Sequence, residues 1–176
     1  MRTCLRTAAV FAAAVVAVTA LANPAQATRR AAPSLMASGV MIVNSVSKLC
    51  VQVADASTRR GARIQQWACG TATHRRWNHN DLGGGYVQYS NLNSNMCLAA
   101  VWGTTNVTQE PCNSTDGQQA WRWLPADAFG NQVLVNTTPW GDSCLALKPF
   151  SWVNGRVIGI ADCATTSAQL WHPATD

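Results

Sequence analysis

Charge is scarce in this sequence. Of 176 residues, 12% are Asp, Glu, Lys or Arg, and Lys48, Lys148 and Glu110 are the whole complement of lysine and glutamate. Disorder needs low hydrophobicity with high charge, yet 48% of the residues are apolar, so a disordered chain is excluded. The net charge of +5 forms no long basic run, and Arg2 and Arg6 belong to the N-terminal segment, so no nucleic-acid partner is expected. With one glutamate, paired carboxylates for glycoside hydrolysis have little to draw on. No Gly-x-Ser-x-Gly elbow, no Cys-x-x-Cys and no phosphate cradle ahead of a helix occurs, and Gly83-Gly84-Gly85 reads as a hairpin loop. His74, His79 and His172 match no metal-ligand spacing, so neither metal nor cofactor is expected. Phe and Tyr are few, at three and two, while Trp is abundant, at eight.

Long apolar runs are absent except from Ala8 to Ala22, and those 15 residues fall short of the roughly 20 that a membrane span needs. Arg2 and Arg6 ahead of the run, and Ala25 and Ala27 behind it, mark residues 1–27 as an export signal cleaved after Ala27. The expectation is therefore a secreted, extracellular chain with no membrane span after cleavage. A flexible lead is expected at 28–39, a domain at 40–173 and a short tail at 174–176. Cys4 leaves with the signal, and six cysteines remain in an oxidising compartment where pairs persist. Counting allows 15 connectivities, but the order along the chain favours Cys50 with Cys69, Cys97 with Cys112, and Cys144 with Cys163. Each pair closes a loop worth about 3 kcal/mol of chain entropy.

Internal repetition sets the fold class. The first cysteine of each couple recurs every 47 residues, at Cys50, Cys97 and Cys144. Each is preceded by a short apolar stretch ending in Asn (Ile42-Val43-Asn44, Val87 to Asn91, Val133 to Asn136) and followed by a second cysteine and a tryptophan: Trp77, Trp121, Trp171. The last two stand in Gln119-Ala120-Trp121 and Gln169-Leu170-Trp171, whereas the first is preceded by Arg75-Arg76. Short apolar stretches alternate with turn residues, and no helical stripe follows Ala27. Three repeats with roughly four strands each point to a closed all-β barrel, since one repeat cannot bury its own apolar face.

The Cys…Cys…Gln-x-Trp triplet resembles the ricin B-type (R-type, Q-x-W repeat) β-trefoil lectins, in particular their small secreted single-domain bacterial members. The resemblance spans about Val40 to Pro173. It implies a β-trefoil of about 12 strands with one disulfide within each repeat and one potential sugar pocket per repeat. It also implies that Trp77, Gln119, Trp121, Gln169 and Trp171 are framework.

In such a pocket an aromatic ring packs on a pyranose face while polar side chains receive its hydroxyls. The resemblance implies an Asp two residues after the first cysteine, a Gln and an aromatic four and two residues before the second, and a polar pair leading to the last Trp. The first repeat keeps Gln65 and Trp67, holds Gln52 in place of the acid, and has His74-Arg75 as its pair; Asp55 is a substitute acid. The second repeat offers Ala99 and Glu110 with Gln118-Gln119, and the third Ala146 and Ala161 with Ala168-Gln169, so both look blank. The expected site is thus Gln65, Trp67, His74, Arg75 and Asp55.

The expected partner is a glycan or polysaccharide, anionic if Arg59, Arg60, Arg63, Arg75 and Arg76 act together. The function implied is non-covalent sugar binding without catalysis. The alternative is a trefoil that lost its sugar pockets and binds another secreted protein as adaptor, toxin subunit or inhibitor. Trp102, Trp140 and Trp152 are expected to pack against the barrel end. Trp121 and Trp123 are expected on opposite faces of their strand, one in the core and one at the surface.

Overall fold

Each repeat folds into four strands. The computed structural model describes residues 39–175; the expected export signal at 1–27, and all of the expected lead except Gly39, lie outside the described residues. The first repeat holds β1 (Met41–Asn44), β2 (Leu49–Val53), β3 (Ile64–Ala68) and β4 (Trp77–Gly83). The second holds β5 (Tyr86–Asn91), β6 (Cys97–Ala100), β7 (Val107–Glu110) and β8 (Trp121–Pro125). The third holds β9 (Gln132–Thr138), β10 (Gly141–Leu147), β11 (Ile158–Asp162) and β12 (Trp171–Ala174). Every pairing is antiparallel, and short 3-10 turns at Thr73–Arg75 and Gly117–Gln119 lead into β4 and β8.

First and fourth strands form the barrel. β1 pairs β12, β12 pairs β9, β9 pairs β8, β8 pairs β5 and β5 pairs β4. The ring closes where the amides of Val40 and Trp77 exchange hydrogen bonds with each other's carbonyls at 3.0 and 2.9 Å. Closure leaves no unpaired barrel edge. The second and third strands form three hairpins, β2–β3, β6–β7 and β10–β11, which meet through the bridges Arg63 to Thr108, Gln65 to Val157 and Asn106 to Gly159. This is the expected β-trefoil.

Period-two alternation decides what fills it. Val51, Val53 and Ile64 from the first hairpin, Leu98 and Val107 from the second, and Leu145, Leu147 and Ile158 from the third all point into one core with Trp77, Trp121 and Trp171, which are wholly buried. Each of these indoles donates to the carbonyl one residue past the first cysteine of its own repeat: Trp77 to Val51 at 3.1 Å, Trp121 to Leu98 at 3.0 Å, Trp171 to Leu145 at 2.8 Å. The accepting carbonyls thus keep the 47-residue period of the cysteines, while the connections to the donating indoles differ in length. The framework glutamines act next door. Gln119 donates to the Pro111 carbonyl and accepts from the amide of Asn113, and Gln169 donates to the Asp162 carbonyl and accepts from the amide of Ala164. Both pin the segment that carries the second cysteine. The three disulfides join Cys50 to Cys69, Cys97 to Cys112 and Cys144 to Cys163, one within each repeat.

Two expectations about tryptophan are corrected. Trp121 and Trp123 face the same side, because residues two apart in a strand share a face; Trp123 packs against the core and donates to the Tyr89 hydroxyl at 2.7 Å. Trp102 packs against the core as expected, but Trp140 and Trp152 do not, being 75% and 67% exposed. Trp140 occupies the tip of a two-residue hairpin and Trp152 the long β10–β11 connection, where it packs on Phe150.

Candidate functional site

The β2–β3 register gathers the expected site residues. Cys50 lies across from Trp67 and Gln52 across from Gln65, so these side chains share the face opposite Val51, Val53 and Ile64. Beyond β2 the chain turns through Asp55 and Ala56, both left-handed at φ 56° and 50°. Asp tolerates that conformation, whereas Ala pays strain for it. The turn lifts the Asp55 carboxylate to the rim, where it is exposed with no protein partner among the described residues. The 3-10 turn before β4 brings His74 and Arg75 from the other side. Gln52, Asp55, Ala56, Gln65, Trp67, His74 and Arg75 line one open depression of about 210 Å³. All five expected site residues, Gln65, Trp67, His74, Arg75 and Asp55, are thus brought together.

Trp67 forms the half-buried wall. Its ring lies beside Gly155 of the β10–β11 connection, which is fastened to β3 by Gln66, whose side-chain amide donates to the carbonyls of Ser151 and Val153 at 2.7 and 2.8 Å. Gln52 and Gln65 form the buried floor, each 3% exposed. Arg75 donates through Nε to Oε1 of Gln52 at 2.9 Å. Arg75 stands where the other repeats have their framework glutamine, but its bond runs to β2 and not to the segment of the second cysteine, a link that no local pattern marks. Burial, and secondarily the Arg75 charge, lower the pKa of His74 below 6.5, so its imidazole is neutral at pH 7. The depression therefore offers a ring face, a free carboxylate, a neutral imidazole and buried amides, which is chemistry for hydroxyl groups.

The equivalent position in the second repeat is larger, about 420 Å³, and is lined by Ala99, Glu110, Asp116, Gln118, Gln119 and Arg60 among others. It has no aromatic wall. Its Glu110 carboxylate accepts from Arg60 at 2.7 Å and Thr108 at 3.0 Å, and Asp116 accepts from the Gln118 amide. Volume without a ring or a free acceptor is the weaker case for a sugar. In the third repeat Ala146 and Ala161 supply neither.

The basic residues of the first repeat are differently engaged. Arg60 pairs with Glu110, Arg75 with Gln52, and Arg76 is buried and donates to the Gly39 carbonyl at 3.0 Å. Arg59 and Arg63 are exposed on the hairpin connection. Among the described residues no group of three His, Cys, Asp or Glu is placed to hold a metal ion.

Residues 34–109 match the family described as ricin-type beta-trefoil lectin domain-like. No curated protein matches the sequence. A designed threefold-symmetric protein, ThreeFoil, superimposes with TM-score 0.69 at 23% identity, covering 76% of this chain and 96% of that one. The C-half of the earthworm R-type lectin in complex with GalNAc superimposes with TM-score 0.63 at 12% identity, covering 79% and 99%. The cytolethal distending toxin of Actinobacillus actinomycetemcomitans gives TM-score 0.66 at 16% identity, covering 81% and 94%. At these identities the likeness is one of fold.

Proposed function

We propose that this chain, which carries a ricin-type β-trefoil lectin-like domain, is a secreted glycan-binding module without catalysis of its own, and that it binds at the Trp67 depression of the first repeat. The carrying observation is the convergence of Trp67, Gln65, His74, Arg75 and Asp55 on one face, with Asp55 unpartnered. A pyranose stacks its C–H face on the Trp67 ring while its hydroxyls donate to Asp55, exchange hydrogen bonds with His74 and accept from the Arg75 guanidinium. The earthworm lectin's GalNAc complex supports the ligand class. Arg75 is the one arginine lining the depression, so the ligand is a neutral sugar or one with a single anionic group facing Arg75.

A glycan array carrying simple galactosides and wall polysaccharides tests this. Retention of at least one sugar is expected, reduced roughly tenfold in Trp67→Ala. Unchanged retention in that variant, with the fold intact, overturns the site. Export is tested by sequencing the N-terminus of the released protein, which should begin at Thr28.

A second reading, protein binding, is favoured by one observation. Trp152, packed edge-on to Phe150 at 4.7 Å, is exposed with Val153 on the connection beside Trp67. A pull-down from secreted extract with wild type and Trp152→Ala separates it from sugar binding.

A further inference from the structure

We propose that a second carbohydrate site, for a neutral pyranose, lies between the 101–105 loop and the β9–β10 hairpin, built on Trp140 and Asp162. It is independent of the Trp67 site.

The two walls come from different repeats and both are held. Thr138 and Gly141 pair across a two-residue loop with Trp140 at its tip. The Thr138 hydroxyl donates to the Gly141 carbonyl at 2.8 Å and accepts from the Trp140 amide at 3.1 Å, which fixes the turn that presents the indole. That indole is 75% exposed. On the facing wall, Trp102 donates through Nε1 to Oδ1 of Asn136 at 2.9 Å, and the Ile160 amide donates to the Thr105 carbonyl at 3.0 Å. Gly159 makes this seat possible, because any Cβ there would collide with the Thr105 carbonyl. The space between is about 200 Å³, the scale of a single sugar ring, and Ile160, Ser143 and Asp162 also line it.

The polar groups select the ligand. Ser143 and Asp162 lie directly across from each other on β10 and β11. Asp142 is already engaged, accepting from Arg122 at 2.6 Å and Thr137 at 2.9 Å. The Asp162 carboxylate and the Ser143 hydroxyl have no protein partner among the described residues. A free carboxylate beside a free hydroxyl, under an exposed indole, accepts hydroxyl protons from a stacked ring and repels uronates and phosphates. This is not the third repeat's own pocket position. Cys144 pairs Ala161 on one face of the hairpin, and Ser143 pairs Asp162 on the other, continuous with the core-facing Leu145 and Ile160.

The test titrates the full mature chain, followed by amide and indole NMR, with the methyl glycosides of galactose, glucose, mannose and N-acetylglucosamine, and with methyl glucuronide as the anionic probe. Saturable shifts are expected at the Trp140 indole and the Ser143 and Asp162 amides with at least one neutral glycoside. They should persist in Trp67→Ala, weaken roughly tenfold in Trp140→Ala and Asp162→Asn, and be absent with the glucuronide. Trp140 supports nothing beneath it, so its removal leaves the fold unchanged. If no neutral glycoside shifts these signals, if the shifts survive Trp140→Ala, or if the glucuronide binds as well, the proposal falls. Shifts confined to Trp67 and its neighbours would support the first site and overturn this one.

Discussion

Arg75 and Gln52 are joined by a 2.9 Å hydrogen bond across the floor of the Trp67 depression. Both residues depart from the pattern that the family resemblance implies, Gln standing for an acid and Arg for a framework glutamine. In the fold each is the other's partner: the guanidinium finds an acceptor, and the buried amide oxygen finds a donor. At the proposed site the ligand's acceptor is Asp55, three residues along, which lines the same depression.

Gln52→Ala should therefore cost about 1–3 kcal/mol, the penalty for a polar group left unpaired. It should also weaken sugar retention, because Arg75 loses the anchor that aims it. Gln52→Glu should keep both, since a charged acceptor binds the guanidinium at least as well. Denaturant midpoints and array retention on the same samples decide this. Equal values for Gln52→Ala and wild type would show that the hydrogen bond anchors nothing.

The imidazole of His74 gives a pH prediction with a definite sign. Burial, then the Arg75 charge, hold its pKa below 6.5 in the folded chain. His172 is lowered as well, by burial and then by Lys48. The unfolded chain thus binds more protons than the folded one between these lowered values and 6.5, so both groups contribute stability above 6.5 that is lost as pH falls through the folded pKa values. Arg75→Gln should move the His74 titration partway back toward 6.5, burial being the larger cause. NMR titration of the ring protons measures it, and a His74 midpoint above 6.5 in wild type would reverse the argument.

What the sequence made legible follows from how local each signal is. Cys50, Cys97 and Cys144 recur at 47 residues, as do the carbonyls at Val51, Leu98 and Leu145 that accept from the buried indoles, so a threefold closed barrel could be read from spacing and the trefoil from the family resemblance. The Trp67 face was legible through the family resemblance, whose pocket positions Gln52, Gln65 and Trp67 lie at two-residue steps and so share one face of the hairpin. The exposure of Trp140 was not, because whether barrel lies beneath a hairpin tip depends on the tilt of a distant loop. Nor was the link between Arg75 and Gln52, 23 residues apart, since nothing local marks a guanidinium that reaches back to the second strand. The pairing of Arg60 with Glu110, 50 residues away, was illegible for the same reason.

The three buried indoles predict equal costs. Trp77→Phe, Trp121→Phe and Trp171→Phe each remove a ring nitrogen whose hydrogen bond satisfies a buried carbonyl at Val51, Leu98 or Leu145. An unpaired buried carbonyl and the lost ring volume together cost about 2–4 kcal/mol. The three variants should fall within about 1 kcal/mol of one another, because the three environments repeat. Chemical denaturation of each variant checks this, and one tolerated without loss would break the threefold equivalence at that repeat.

The disulfides carry the same symmetry into the unfolded state. Their sequence separations are 19, 15 and 19 residues. Loop entropy grows only with the logarithm of length, so removing any one pair as a double Cys→Ala variant should cost about 3 kcal/mol, with differences of a few tenths at most. Because each bridge stays inside its own repeat, it constrains a hairpin and leaves the ring of β1, β4, β5, β8, β9 and β12 to hydrogen bonds and the tryptophan core. Each double variant should therefore still fold, with a lower midpoint and an unchanged denaturant slope for the transition. A much larger loss for one pair would mean that its hairpin must form before the others can close, and peptide mapping that joined cysteines of different repeats would contradict the hairpin assignment outright.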